Sequence, residues 1–192
     1  MKSTIAIPRI VPKIGKVTLL VVLLAGFWSL SAHFLGRMTG GGSFFTQPTG
    51  GVRVTHGFEL YCQQNGGIPP LIGPNNLEVN WDSGNHFHLD TLTANSCECS
   101  DGVTGQVCDD AKPPKAPIDT YNGCGIGTYN GLAGYYACWT FVDKGEPGTS
   151  DTAQFQLWTP PPGLLPVFSA GPAPLTSGNH QAHFITGGKQ GP

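Results

Sequence analysis

Two hydrophobic patterns divide the chain. From Val17 to Gly36, twenty residues run without a carboxylate, lysine or arginine. A helix of that length, rising about 1.5 Å per residue, spans the roughly 30 Å hydrocarbon core of a bilayer. After Gly36 the apolar run gives way to short stretches in which apolar and polar residues alternate, the signature of half-buried strands. The clearest is Val52 to Cys62: Val52, Val54, His56, Phe58, Leu60 and Cys62 fall on one face, and Arg53, Thr55, Glu59 and Tyr61 on the other. His56 is thereby assigned to an apolar face.

The same reading predicts strands over Leu77 to Asp82 and His86 to Leu92. A Ser83-Gly84-Asn85 loop between them sets Trp81 opposite Phe87, Val79 opposite Leu89 and Asn80 opposite His88. Asn130-Gly131 marks the turn of a hairpin from Tyr121 to Val142. A strand follows over Thr152 to Trp158, and Gly178 to Thr186 is expected to close the sheet. Between these lie a Gly-rich spacer (Arg37 to Ser43), an irregular cysteine-bearing loop (95–118) and a Pro-rich loop or strap (160–174). The expected organisation is a cytoplasmic tail (1–16), a transmembrane helix (17–36), a spacer and first strand region (37–50), a β domain (51–186) and a short tail (187–192). The fold class is mainly β, a sandwich-like exported domain behind one transmembrane helix.

Charge fixes the expected orientation. Lys2, Arg9, Lys13 and Lys16 precede the apolar run with no acid among them, so the positive-inside bias keeps the N-terminus in the cytoplasm and exports the remainder. A cleaved signal peptide is the competing reading. The long basic region and the bulky Phe27, Trp28, His33 and Phe34 favour a retained signal-anchor in a bacterial inner membrane, with the domain in the periplasm or outside. The exported part carries twelve carboxylates against six cations, a formal charge of −6 that disfavours nucleic acid.

All six cysteines lie in the exported part, as disulfides in an oxidising compartment would. Cys124 and Cys138 are equidistant from residue 131 and so face each other across the hairpin. Cys62, Cys97, Cys99 and Cys108 allow three pairings, of which Cys62 with Cys97 and Cys99 with Cys108 is preferred.

Seven segments taken in order, GRMTGGGS, VRVTHGFELYC, PNNLEVNW with FHL, DTYNG, YNG, F-x-D-x-GEPG-x-x-D and GNHQAH, resemble the post-choice-of-anchor type of repeat domain of bacterial exported proteins. The similarity runs over most of residues 36–186. It implies an extracytoplasmic β-sandwich-like module, usually part of larger surface proteins beside adhesive or immunoglobulin-like domains, with no assigned chemistry. This chain departs from the pattern by carrying a single such domain directly behind a membrane segment and by its additional cysteines.

Candidate ligating groups fall into two sets. His56, His88, His180 and His183 are possible imidazole ligands, although ordinary burial habits favour hydrogen-bonded structural histidines. Asp143, Glu146 and Asp151 flank a Gly-Pro turn and offer oxygen ligands to calcium, though acids in such turns more often cap them. Calcium is therefore the one cofactor to test. No nucleophile elbow, zinc-protease helix motif or phosphate loop occurs; Glu59 with Asp90 is too ordinary a carboxylate pair to imply an enzyme.

The expected function is a non-catalytic single-pass subunit contacting other membrane or extracytoplasmic proteins, within a respiratory or photosynthetic assembly. The alternative is an adhesion or ligand-binding module dependent on calcium or carbohydrate, with Tyr135, Tyr136, Trp139 and Trp158 on an exposed strand face. A secreted metal-binding protein or enzyme is the distant third.

Overall fold

The computed structural model describes residues 36–47, 50–62, 75–99, 108, 116, 118–160 and 165–184. Their alternating stretches form nine strands: β1 (Gly36–Gln47), β2 (Gly50–Tyr61), β3 (Asn76–Trp81), β4 (Asn85–Glu98), β5 (Thr120–Tyr129), β6 (Leu132–Val142), β7 (Thr152–Trp158), β8 (Phe168–Pro174) and β9 (Ser177–Phe184). They make one antiparallel sheet in the order β8-β7-β6-β5-β4-β3-β2-β1-β9. The sheet curls, so that inner faces of strands far apart in this order meet. Phe58 of β2 stacks on Phe141 of β6 with ring centroids 4.3 Å apart, and Trp81 of β3 on Phe168 of β8 at 4.2 Å. Phe44, Leu60, Leu77, Phe87, Phe155 and Leu157 complete a core from which solvent is excluded; each such side chain contributes about 1.5–3 kcal/mol through burial.

The inward set expected for β2 is observed: Val54, His56, Phe58, Leu60 and Cys62 are buried. The disulfides are Cys62–Cys97, Cys99–Cys108 and Cys124–Cys138, the last joining residues directly opposite in the β5–β6 hairpin. That hairpin turns on Asn130 and Gly131, both at positive φ (49° and 81°), as a type I′ turn requires.

Four expectations change. The Gly-rich spacer at Arg37–Ser43 is not a linker but most of β1, paired with β2 on one side and β9 on the other. Its glycines let three backbones approach closely: a Cβ at Gly41 would lie 2.6 Å from the His56 carbonyl oxygen. The β3–β4 hairpin is shifted, with Trp81 opposite Asn85, Val79 opposite Phe87 and Asn80 opposite His86. Its turn is Asp82-Ser83-Gly84, all at positive φ, and Asn85 is drawn into the sheet by hydrogen bonds from Tyr129 Oη (2.7 Å) and Asn130 Nδ2 (3.0 Å). The shift is two residues, so the faces keep their sides. Strand β4 runs on to Glu98, beyond the expected start of the loop, and the end of the Pro-rich strap is edge strand β8.

The transmembrane helix expected over 17–36 lies outside the described residues except for Gly36, which opens β1. Among the described residues the only helical element is the 3-10 turn Gly148–Ser150, and no helix is long and apolar enough to cross a membrane.

Candidate functional site

The predicted histidine ligands separate into three places. His56 on β2 and His180 on β9 point into the core and meet there, Nε2 to Nε2 at 2.7 Å, with Phe44, Phe58 and Phe141 packed around His56. His180 Nδ1 lies 3.1 Å from the Val142 carbonyl, which only accepts, so Nδ1 carries the proton and His180 Nε2 receives the one donated by His56. His56 Nδ1 is then a lone pair, buried without a partner. Burial holds both rings neutral: it lowers His56 from 6.5 to about 3, helped by the neighbouring His180, and lowers His180 to about 4 against the favourable Val142 contact. His183 lies further along β9, 2.9 Å from Thr39 Oγ1, and His88 is on the outer face beside Glu78 at 3.3 Å.

The three acids of the Gly-Pro turn converge on β9, one of the two edge strands of the sheet. Asp151 Oδ2 accepts from the His180 backbone N–H (2.7 Å) and Asp143 Oδ2 from that of Ala182 (2.8 Å). Their other oxygens accept from Lys144 N and Gly145 N, both at 2.8 Å. Glu146 accepts from the amides of Asn179 and Gln181, which hold its carboxyl below the usual range, Gln181 contributing most. Burial pushes Asp151 upward despite its two backbone donors. These carboxylates replace the missing strand, satisfying N–H groups that an open edge would leave exposed. Among the described residues, no three His, Cys, Asp or Glu side chains are grouped to hold a metal ion.

No family model, curated protein or solved structure matches the chain.

The outer surface carries a separate feature. On the outer face of β5, β6 and β7, the register aligns Ile126, Tyr136 and Trp158 in one row. Tyr136 and Trp158 have ring centroids 6.0 Å apart, and Ile126 is 42% exposed. Around the same end of the sheet Leu132 (61%), Leu165 (81%) and Val167 (56%) also face solvent. Tyr135 and Trp139 do not join them. Strand alternation turns both inward, Trp139 to 3% exposure and Tyr135 against Tyr129.

Ile126, Leu132, Leu165 and Val167 were not singled out by the sequence pattern. The available signal was the PPPGLLPVF run, where aliphatic residues sit among prolines with no alternation to assign them to a core.

Proposed function

We propose that this is a non-catalytic, membrane-anchored subunit whose β-sandwich-like extracytoplasmic domain, of the post-choice-of-anchor kind, contacts other proteins of a larger respiratory or photosynthetic membrane assembly. In this reading the apolar run that begins at Val17 crosses the membrane and holds the N-terminus in the cytoplasm, and the domain, opening at Gly36, follows on the outer side.

The observation that carries this reading is the position of the exposed apolar residues. Strand pairing puts Gly36, where the anchor segment joins, at the end of the sheet marked by Tyr61, Cys97, Thr120 and Thr152. Leu132, Trp158 and Val167 stand at the other end. Gathered at one end of the sheet, these exposed apolar side chains form the kind of patch that suits contact with another protein.

Solubilisation of the full chain in mild detergent, followed by native electrophoresis and mass spectrometry, tests the proposal. Stoichiometric co-migration with other membrane subunits is expected. Its loss in Leu165→Ser/Val167→Ser, with near-ultraviolet dichroism unchanged, locates the contact. A wild-type protein that migrates alone overturns the reading.

A further inference from the structure

Beside the apolar row, the outer face of β5, β6 and β7 continues into a groove of about 350 Å³. Register orders its floor. Below Ile126, Tyr136 and Trp158 comes the row Cys124, Cys138 and Gln156, and below that Asn122, Thr140 and Gln154. The first row is apolar, the second is a half-buried disulfide beside one amide, and the third is amide and hydroxyl. None of the nine side chains bears a charge.

The polar groups differ in freedom. Thr140 Oγ1 donates to Asn122 Oδ1 (2.8 Å), and Asn122 Nδ2 donates to Glu98 Oε1 (3.1 Å), so these two are fixed. Gln154 and Gln156 are half-buried on β7, and no hydrogen bond ties either amide to another described residue. Each offers two donors and an acceptor. Along β7, residues two apart on one face are about 7 Å apart, so Trp158, Gln156 and Gln154 define a track of about 14 Å.

We infer that this track binds a neutral oligosaccharide. A pyranose has an apolar C–H face to lay against Trp158 and Tyr136, and hydroxyls that both donate and accept to meet the glutamine amides. An anionic ligand would lose hydration here without a counter-charge and would face the Glu98 carboxylate beside Asn122. An extended peptide pairs through its backbone at a sheet edge, and this track lies on the face of central strands. The inference goes beyond the subunit reading, because it assigns a ligand to a surface that reading does not use below Trp158.

The test is calorimetric titration of the detergent-solubilised full chain with cellohexaose, laminarihexaose, chitohexaose and maltoheptaose, with polygalacturonate as the charged control. Binding of at least one neutral oligosaccharide is expected, with a change in tryptophan emission. Trp158→Ala weakens it roughly tenfold or more, and Gln154→Ala/Gln156→Ala, on half-buried positions of the outer face, also weakens it. Leu165→Ser/Val167→Ser leaves it unchanged, which separates this outcome from failure of the subunit reading. Absence of binding by all four neutral sugars at millimolar concentration overturns the inference, as does preference for polygalacturonate or binding indifferent to both the tryptophan and glutamine substitutions.

Discussion

The His56–His180 pair makes the domain's stability depend on pH in a calculable way. Unfolded, each imidazole takes up a proton as the pH falls through about 6.5; folded, burial delays this to about 3 for His56 and about 4 for His180. Between those values the unfolded chain binds more protons, so stability falls as the pH falls. From pH 7 to pH 5 each histidine costs about 2 kcal/mol, about 4 kcal/mol for the pair. For a domain of this size the melting temperature drops by roughly 8–16 °C. Asp151, raised by burial, acts in the opposite sense because its folded form takes up a proton first, and Glu146, held low, adds a loss only in the acidic carboxylate range. Comparison with variants isolates the histidines. Urea unfolding at pH 7, 6 and 5 is expected to show the full loss in the wild type and about half of it in His56→Gln, which keeps a donor for His180 Nε2 but cannot be protonated. The loss disappears in His56→Phe/His180→Phe. Equal pH slopes in wild type and His56→Gln would refute the reasoning, as would a ring proton of either histidine that titrates near 6.5 in the folded protein by NMR.

The carboxylates on β9 give a second expectation: Asp151→Asn replaces an acceptor of two N–H bonds by a group with only one accepting atom, and destabilises the domain by about 1–3 kcal/mol. Hydrogen exchange should then accelerate first at the His180 and Lys144 amides, the two that Asp151 accepts from. Because both oxygens of Asp143 and Asp151 are already engaged, calcium added to the wild type is expected to leave the melting temperature unchanged, and a calcium-dependent rise lost in Asp143→Ala/Asp151→Ala would contradict this.

Much of the architecture was legible in alternation and turn chemistry. The inward set of β2, the Asn130-Gly131 turn and the opposition of Cys124 to Cys138 follow from local rules, because neighbouring residues alone determine them. Strand β1 was not legible, since Gly40, Gly41 and Gly42 carry no side chains to alternate; their strand character comes from β2 and β9 on either side. The register of β3 with β4 depends on Tyr129 and Asn130, residues of the next hairpin that hydrogen-bond to Asn85. His56 was placed on an apolar face by periodicity, but its partner lies 124 residues away and periodicity carries no such information. The acids of the Gly-Pro turn show the same gap: their identity suggested a cation, and tertiary structure supplies the backbone N–H groups of β9 instead.

The pairing of β1 with β9 joins Gly36 to Phe184, so the first described strand has a vacant flank until the last has been synthesised. Every other neighbour of β1 and β2 is available early, yet the sheet cannot be completed from a partial chain. Such distant pairing slows folding and leaves a strand edge open to the wrong partner while it waits. A release of the nascent chain before Phe184 would strand a half-built sheet with one edge of β1 open, a ready substrate for quality-control proteases. Completion of the sheet thus waits on synthesis of β9.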